Sequence, residues 1–100
     1  MTTHSLKPAA RLKPDVKPVC VEGLVEHELE DELVLYDPRT DGTHVLNGAG
    51  TVVWFLIDGK RTVAEIGSEL AGYYGLDHDS VASDVSEVLL GFRRAGLTTW

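Results

Sequence analysis

The sequence has little of what disulfide frameworks, metal sites and membrane proteins need. Its 100 residues include one cysteine, Cys20, so the chain cannot form an internal disulfide or a multi-cysteine metal site. We expect Cys20 to be a small apolar filler or an inert thiol. No apolar run approaches the ~20 residues that span a bilayer, and residues 1–18 contain no apolar stretch of signal-peptide length. The sequence therefore predicts a cytoplasmic protein without a membrane segment.

Recognisable catalytic and metal-binding motifs are also missing. The histidines are scattered, and none has the helical i, i+4 partner of a zinc site. A cross-strand pair of His27 and His44 is conceivable, but ordinary surface histidines explain them better. Residues 77–80, DHDS, begin like a calcium loop, yet its sixth and twelfth positions would be Ala82 and Val88 instead of glycine and glutamate. Since no nucleophile elbow, P-loop or dinucleotide fingerprint occurs either, we expect no enzyme activity, cofactor or metal.

Positive charge is scarce beyond the N-terminus. Residues 1–18 hold four basic residues and one acidic residue, a charge of +3, so a net charge of −7 leaves −10 on the remainder. An acidic body repels the phosphate backbone, which argues against a nucleic-acid partner but not against a basic peptide. Three prolines and the absence of an amphipathic period predict that residues 1–18 form a flexible basic tail; the alternative is a segment that docks on a partner chain. Residues 19–100 are then one small domain.

Residues 19–47 have the pattern of β-strands. In residues 25–30, Val, His and Leu alternate with Glu, which indicates a strand with one buried face. The Asp41-Gly42 pair suits a hairpin turn. The predicted strands are residues 25–30, 33–36 and 43–46. Short strands joined by tight turns predict an antiparallel meander.

Apolar residues at helical spacing follow the strands. Asn47 is expected to cap the first helix, Thr62 and Glu65 to form a capping box on the second, and Gly75 to end that second helix. The predicted helices are residues 48–57, residues 63–74, and a third from Asp79 or Ser80 to Ala95. Phe55 is either buried or exposed as a contact for a larger partner, and we favour burial. The predicted fold is α+β, a three-stranded antiparallel sheet followed by three helices.

The free edge of the sheet is the candidate functional feature. In a simple meander, residues 43–46 form an edge strand whose main-chain groups accept another extended chain. A helix packed beside that edge would leave a groove for side chains. The alternative is a merely protected edge, blunted by Thr43 and His44. Arg93 and Arg94 either stabilise a helix C-terminus or meet an acidic peptide.

The order and spacing of these residues resemble the PqqD family of RiPP recognition elements. The matching residues are VLN at 45–47, VW at 53–54 with Leu56, DG at 58–59, RTVAEI at 61–66 with Leu70, YG at 74–75, DV at 84–85, Leu89 and GL at 96–97. The likeness covers about residues 19–98. It departs from the family at Gly50, where alanine is frequent, and at Phe55, where a polar residue is usual.

The resemblance implies a winged-helix-like fold and a function in peptide binding. Family members bind the leader region of a ribosomally made precursor peptide and present it to a modifying enzyme, often a radical SAM enzyme; a cyclase or protease is the other expectation. The leader adds as a further strand to the third strand and lies against the third helix. The implied peptide-binding residues are Thr43, His44, Val45 and Leu46 on the strand, and Asp84, Val85, Val88, Leu89, Gly91 and Phe92 on the helix.

Two other functions stay open. A winged-helix DNA-binding protein would use the third helix for recognition, but that helix carries Asp84 and Glu87 beside its two arginines. Its affinity for DNA would fall steeply with salt, whereas a leader complex held by main-chain bonds would change little. A non-catalytic structural subunit of a larger enzyme complex would instead bury Phe55 and the strand edge against a permanent partner.

Overall fold

The predicted order of three strands followed by three helices is confirmed by the computed structural model, which describes residues 11–100. The elements are β1 (Val19–Cys20), β2 (Val25–Glu28), β3 (Glu32–Asp37), β4 (Gly42–Asn47), α1 (Gly48–Leu56), α2 (Val63–Tyr74), α3 (His78–Arg94) and β5 (Thr98–Thr99). Strands β2, β3 and β4 form an antiparallel sheet in that order, so the third predicted strand is β4. The short strands β1 and β5 pair with each other and join the two ends of the domain.

The helices cover one face of the three-stranded sheet. Leu33 and Leu35 of β3 are fully buried on that face, and Leu46 of β4 lies directly opposite Leu33. Alternation places these leucines on one side of the pleat, where they meet the apolar faces of the helices. The core is formed by Leu33, Leu35, Leu46, Val53, Trp54, Ile57, Val63, Ile66, Leu70, Ala71, Val81, Val85, Leu89, Phe92 and Leu97.

The expectation that β2 buries its apolar residues is wrong. All four residues of β2 are exposed, and Val25 is 49% exposed. The cross-strand register sets Glu26 opposite Leu35, so the glutamates of β2 occupy the helix-facing side. The Glu26 carboxylate accepts a hydrogen bond from Trp54 Nε1 at 3.0 Å, which satisfies it there. The apolar side chains of β2 therefore lie on the outer face of the sheet, away from the helices.

The helix termini follow local hydrogen-bonding chemistry with one exception. The predicted capping box is confirmed, since Thr62 and Glu65 each accept the other's backbone N–H, and Gly75 ends α2 at φ 65°. Asp77 caps α3 by accepting from the Ser80 amide at 3.2 Å, so this helix starts slightly earlier than predicted. The predicted side-chain cap at Asn47 is wrong, because Asn47 makes no such bond.

Phe55 is 50% exposed, so its predicted burial is also wrong. Val53 and Trp54 are the buried residues of α1. Successive residues of a helix are about 100° apart, so Phe55 lies about 200° from the buried Val53 and points away from the core. Trp54 packs edge-to-face against Phe92 of α3, with ring centroids 5.5 Å apart, and fixes α1 against α3.

The N-terminal segment differs from the expected tail. Of the predicted flexible residues 1–18, residues 1–10 lie outside the described residues. Residues 11–18, called here the N-terminal arm, lie against the helices. Leu12 and Val16 of the arm are partly buried against the core. Only two apolar side chains of the arm make these contacts, too few to give an amphipathic period in the sequence.

The arm also completes the start of α2. The first amides of a helix have no partner within the helix and must bond elsewhere. The Val63 amide donates to the Val16 carbonyl at 2.8 Å, and the Ala64 amide donates to the Pro14 carbonyl at 3.1 Å. The arm and the capping box together satisfy the first turn of α2.

Candidate functional site

Strand β4 has one edge along which no other strand pairs within residues 11–100. The direction of its main-chain groups follows from the hairpin between β2 and β3. There the Leu29 amide donates to the Glu32 carbonyl at 2.9 Å, so Glu32 turns its main-chain groups toward β2. Successive residues of a strand alternate in this direction, so Leu33 and Leu35 bond to β4.

The same alternation assigns the main-chain groups of β4. Leu46 and His44 lie opposite Leu33 and Leu35 and use their N–H and C=O groups within the sheet. Thr43 and Val45 lie between them and direct their N–H and C=O groups to the free edge. The open edge of β4 therefore offers the donors and acceptors of alternate residues to an incoming strand.

The side chains of β4 divide in the same way. Leu46 is 9% exposed and faces the core, with the half-buried His44 on the same side. Val45 is 57% exposed and lies with Thr43 on the outer face. The two residues that face the edge with their backbone thus contribute nothing to the core.

The structure divides the helix residues of the predicted site into two groups. Val85, Leu89 and Phe92 are buried in the core. Asp84 and Gly91 are exposed, and Val88 is half-buried at the margin of the core. This second group alone presents surface to a ligand in this conformation.

The exposed group lies on a flank of α3 that no other helix covers. Ser86 marks the opposite flank, because its Oγ accepts the Leu12 amide of the arm at 3.0 Å. At about 100° per residue, Asp84, Val88 and Gly91 lie roughly 140–200° around the helix from Ser86. The flank with these three residues therefore faces away from the arm.

A hydrogen bond places the end of α3 beside the start of β4. Arg39, in the loop between β3 and β4, donates from Nη2 to the Gly96 carbonyl at 3.2 Å. Arg39 is itself held by Asp37, which pairs with Gly42, the first residue of β4. The C-terminal end of α3 is thereby fixed near Gly42.

A second contact shows the direction of α3 over the sheet. Phe92 packs on Trp54, and Trp54 bonds to Glu26. Glu26 pairs across the sheet with Leu35, and Leu35 pairs with His44. His44 lies two residues after Gly42 in β4. Moving back along α3 thus corresponds to moving forward along β4, so the two elements run in opposite directions.

The backbones of β4 and α3 are not in direct contact. No Cα atom of α3 lies within 8 Å of a Cα atom of β4. An added strand lies ~4.8 Å from its neighbour, so the α3 backbone does not occupy the position that such a strand would take beside β4. We call the region between the two elements the β4–α3 groove; its candidate walls are residues 43–46 of β4 and Asp84, Val88 and Gly91 of α3.

The ion pair between Asp37 and Arg39, near the start of β4, was not predicted from the sequence. The Asp37 carboxylate is buried and accepts from Arg39 Nε at 3.0 Å and from Nη2 at 2.9 Å. Hydrogen bonds from Arg39 and its positive charge hold the pKa of Asp37 below its usual value. An Asp-Pro-Arg sequence is a signal for such a bond, since two-residue spacing in a turn brings the groups together.

Other candidate chemistry is not assembled by the fold. His27 and His44 lie on opposite faces of the sheet, and residues 11–100 contain no group of three or more potential metal ligands. Burial, with a smaller contribution from Glu26, raises the pKa of the Cys20 thiol to about 11. No helix in the described part of the chain is long and apolar enough to cross a membrane.

A cavity of about 330 Å³ lies on the other side of α3. It is lined by the arm, α2 and α3, and Leu12, Val63 and Ala82 contribute apolar surface to it. This cavity could not be predicted from the sequence, because its shape depends on how the arm lies against α2 and α3. It is separate from the β4–α3 groove, since Ser86 and Ala82 lie on the opposite flank of α3.

The chain is similar in structure to three solved proteins. TbiB1, in complex with the TbiA(beta) leader peptide, is 22% identical over 80% of this chain and 93% of its own, with a TM-score of 0.73. Lasso peptide synthetase B1, complexed with the leader peptide, is 13% identical over 85% of this chain and 100% of its own, with a TM-score of 0.75. The PqqD truncation of Methylobacterium extorquens PqqCD, a stand-alone RiPP recognition element, is 24% identical over 94% of this chain and 99% of its own, with a TM-score of 0.74. At these identities the likeness shows the fold.

The sequence itself identifies the family. No curated protein sequence matches the chain significantly. The family model for coenzyme PQQ synthesis protein D (PqqD) matches residues 32–97, from the start of β3 to the residue before β5. This span includes both walls of the β4–α3 groove. The chain therefore belongs to the PqqD family.

Proposed function

We propose that the chain binds the leader region of a ribosomally synthesised precursor peptide by strand addition to β4. The single observation that carries this proposal is the open edge of β4 at Thr43 and Val45, beside which the α3 backbone does not occupy the position of a further strand. Membership of the PqqD family supports it. Two proteins of similar fold, TbiB1 and lasso peptide synthetase B1, are complexes with leader peptides, which supports it further.

The two groups of helix residues have different functions in this proposal. Main-chain bonds to Thr43 and Val45 supply affinity that any leader sequence can use. Leader side chains on the helix-facing side contact Asp84, Val88 and Gly91. The buried residues Val85, Leu89 and Phe92 hold α3 at the correct distance from β4 without touching the peptide.

The chain then acts as a non-catalytic recognition protein that presents the leader to a modifying enzyme. That enzyme is a radical SAM enzyme, a cyclase or a protease. No cofactor or metal enters this function. Because the precursor is made by ribosomes, we place the encounter in the cytoplasm.

Proline at Val45 tests the edge directly. The Val45 N–H faces outward, so Val45→Pro removes a donor to the leader and leaves the β3–β4 hydrogen bonds intact. We expect affinity for the cognate leader to fall at least about tenfold, which is about 1.4 kcal/mol. The measurement is a calorimetric titration with leader peptides from short reading frames beside the gene, with amide shifts recorded on the labelled chain.

Two matched variants control this experiment. Val45→Ala keeps the N–H and should bind within about threefold of the original chain. His44→Pro removes a donor used inside the sheet and should instead unfold the hairpin, which circular dichroism would show. Full affinity in a folded Val45→Pro protein, or amide shifts confined to residues outside 43–46 and α3, would refute strand addition at this edge.

A further inference from the structure

The β4–α3 groove carries opposite charges at its two ends. Because α3 and β4 run in opposite directions, the N-terminal half of α3 lies toward Asn47. Asp84 and Glu87 are exposed on this half of the helix. Glu32 is also exposed and is the cross-strand partner of Asn47. No lysine or arginine occurs in α3 before Arg93, so this end of the groove is acidic.

The other end of the groove is basic. Arg94 is exposed in the last turn of α3, and the Arg39 side chain is 56% exposed beside Gly96. The carboxylates of this end already have partners, since Asp37 accepts from Arg39 and Asp41 accepts from the Tyr36 hydroxyl. These two aspartates keep their charge, but they face three arginines, Arg39, Arg93 and Arg94, so the formal charge near Gly42, the start of β4, is +1.

We infer that the groove selects a leader segment by the order of its charges. The segment carries a basic residue over the Asp84 end and an acidic residue over the Arg94 end, with uncharged residues between them. This inference rests on the proposed function, since it concerns the same peptide in the same groove. The inference names the class of leader sequence that binds. The open edge alone does not specify this class, because main-chain hydrogen bonds do not distinguish side chains.

The dimensions of the groove set the spacing of the two charges. From Asn47 to Gly42 the strand covers five residue steps, about 17 Å at ~3.4 Å per residue. The charged residues of the leader are therefore about five positions apart. An added strand that continues the antiparallel pattern of the sheet enters at Asn47 and leaves at Gly42. The basic residue then precedes the acidic residue in the leader sequence.

A selection from random peptides tests the charge order without knowledge of the natural leader. The full-length chain is immobilised and used to select from a displayed library of random 12-residue peptides. We expect the enriched peptides that shift amides of residues 43–46 to carry Lys or Arg about five positions before Asp or Glu. Resynthesis of one such peptide with the two charges exchanged should weaken binding about tenfold at low salt. The difference should largely vanish at 1 M salt, where screening acts within about 3 Å.

Charge reversal on the protein provides the matched control. In the Asp84→Lys protein, the affinity for the original peptide should be only about one to three times the affinity for the peptide with exchanged charges. Glu69→Lys makes the same change of net charge at an exposed site on α2 and should keep the full preference.

The outcomes separate this inference from the proposed function. The inference would be overturned if peptides that bind the edge showed no charge order or the reverse order. It would also be overturned if Asp84→Lys left the preference for charge order unchanged. Each of these outcomes would leave strand addition intact. A selection that yields no peptide acting on residues 43–46 would overturn both.

Discussion

Removal of the N-terminal arm is expected to destabilise the domain without touching the groove. The perturbation is a chain that begins at Pro18, compared with a chain that begins at Arg11. The longer variant keeps every arm contact described, including the bonds to the Val63 and Ala64 amides. The shorter variant loses these bonds and uncovers the partly buried Leu12 and Val16.

The size of the effect follows from the lost contacts. Two main-chain hydrogen bonds contribute about 1 kcal/mol each, and half-burial of a leucine and a valine contributes about 2 kcal/mol together. The shorter variant should therefore lose about 3–4 kcal/mol of unfolding free energy. For a domain of this size that lowers the melting temperature by roughly 12–30 °C. Such a loss is a large part of the ~5–15 kcal/mol that stabilises a small domain.

Urea unfolding followed by tryptophan fluorescence measures the difference. Trp54 reports on the core because its ring packs against Phe92. The variant that begins at Arg11 is the reference, because it keeps every described contact of the arm, and the variant that begins at Pro18 should unfold at a lower urea concentration. Equal midpoints for the two truncated chains would show that the arm contacts contribute nothing, and the reasoning about the start of α2 would be wrong.

Two further predictions concern ionisation. Cys20 should react with iodoacetamide far more slowly in the native chain than in urea at pH 8, because a pKa near 11 instead of 9.0 lowers the thiolate fraction by about a hundredfold; equal rates would contradict the burial of the thiol. The pKa of Asp37 is lowered in the fold, so its contribution to stability is present above pH ~4 and is lost as pH falls through the folded pKa. Asp37→Asn should therefore be less stable at pH 7 and should lose less stability than the original chain between pH 5 and 2 in urea titrations; parallel curves would contradict this account.

The helices and their order could be predicted because their signals are local. Thr62, Glu65 and Gly75 act within a single turn of backbone, and the structure confirms both the capping box and the left-handed end of α2. The strand order followed from short turns, which leave little choice but an antiparallel meander. These features depend on neighbours in sequence.

The failures concern burial, which depends on residues distant in sequence. The alternation in β2 correctly indicated a strand, but it could not show which face the helices cover. Glu26 takes the inner face because Trp54, 28 residues later, supplies a hydrogen-bond donor. Phe55 is exposed for a related reason, since no described element covers that side of α1.

The candidate site was predictable in part. The edge position of residues 43–46 followed from the meander, and the structure leaves that edge open within residues 11–100. The rotation of α3 was not predictable, because a helix with Val85, Val88, Leu89 and Phe92 on one arc does not reveal which margin of the arc meets the groove. The arm decides this by taking the flank of Ser86.

The alternation in β4 has a consequence for how such a protein changes over generations. In the proposed function, Thr43 and Val45 bind the leader through main-chain atoms, which every amino acid except proline supplies equally. Their side chains lie outside the core, so replacing them leaves the hydrophobic interior undisturbed. Substitutions at these two positions can thus accumulate over generations without loss of the fold, while the capacity to bind is inherited with the backbone.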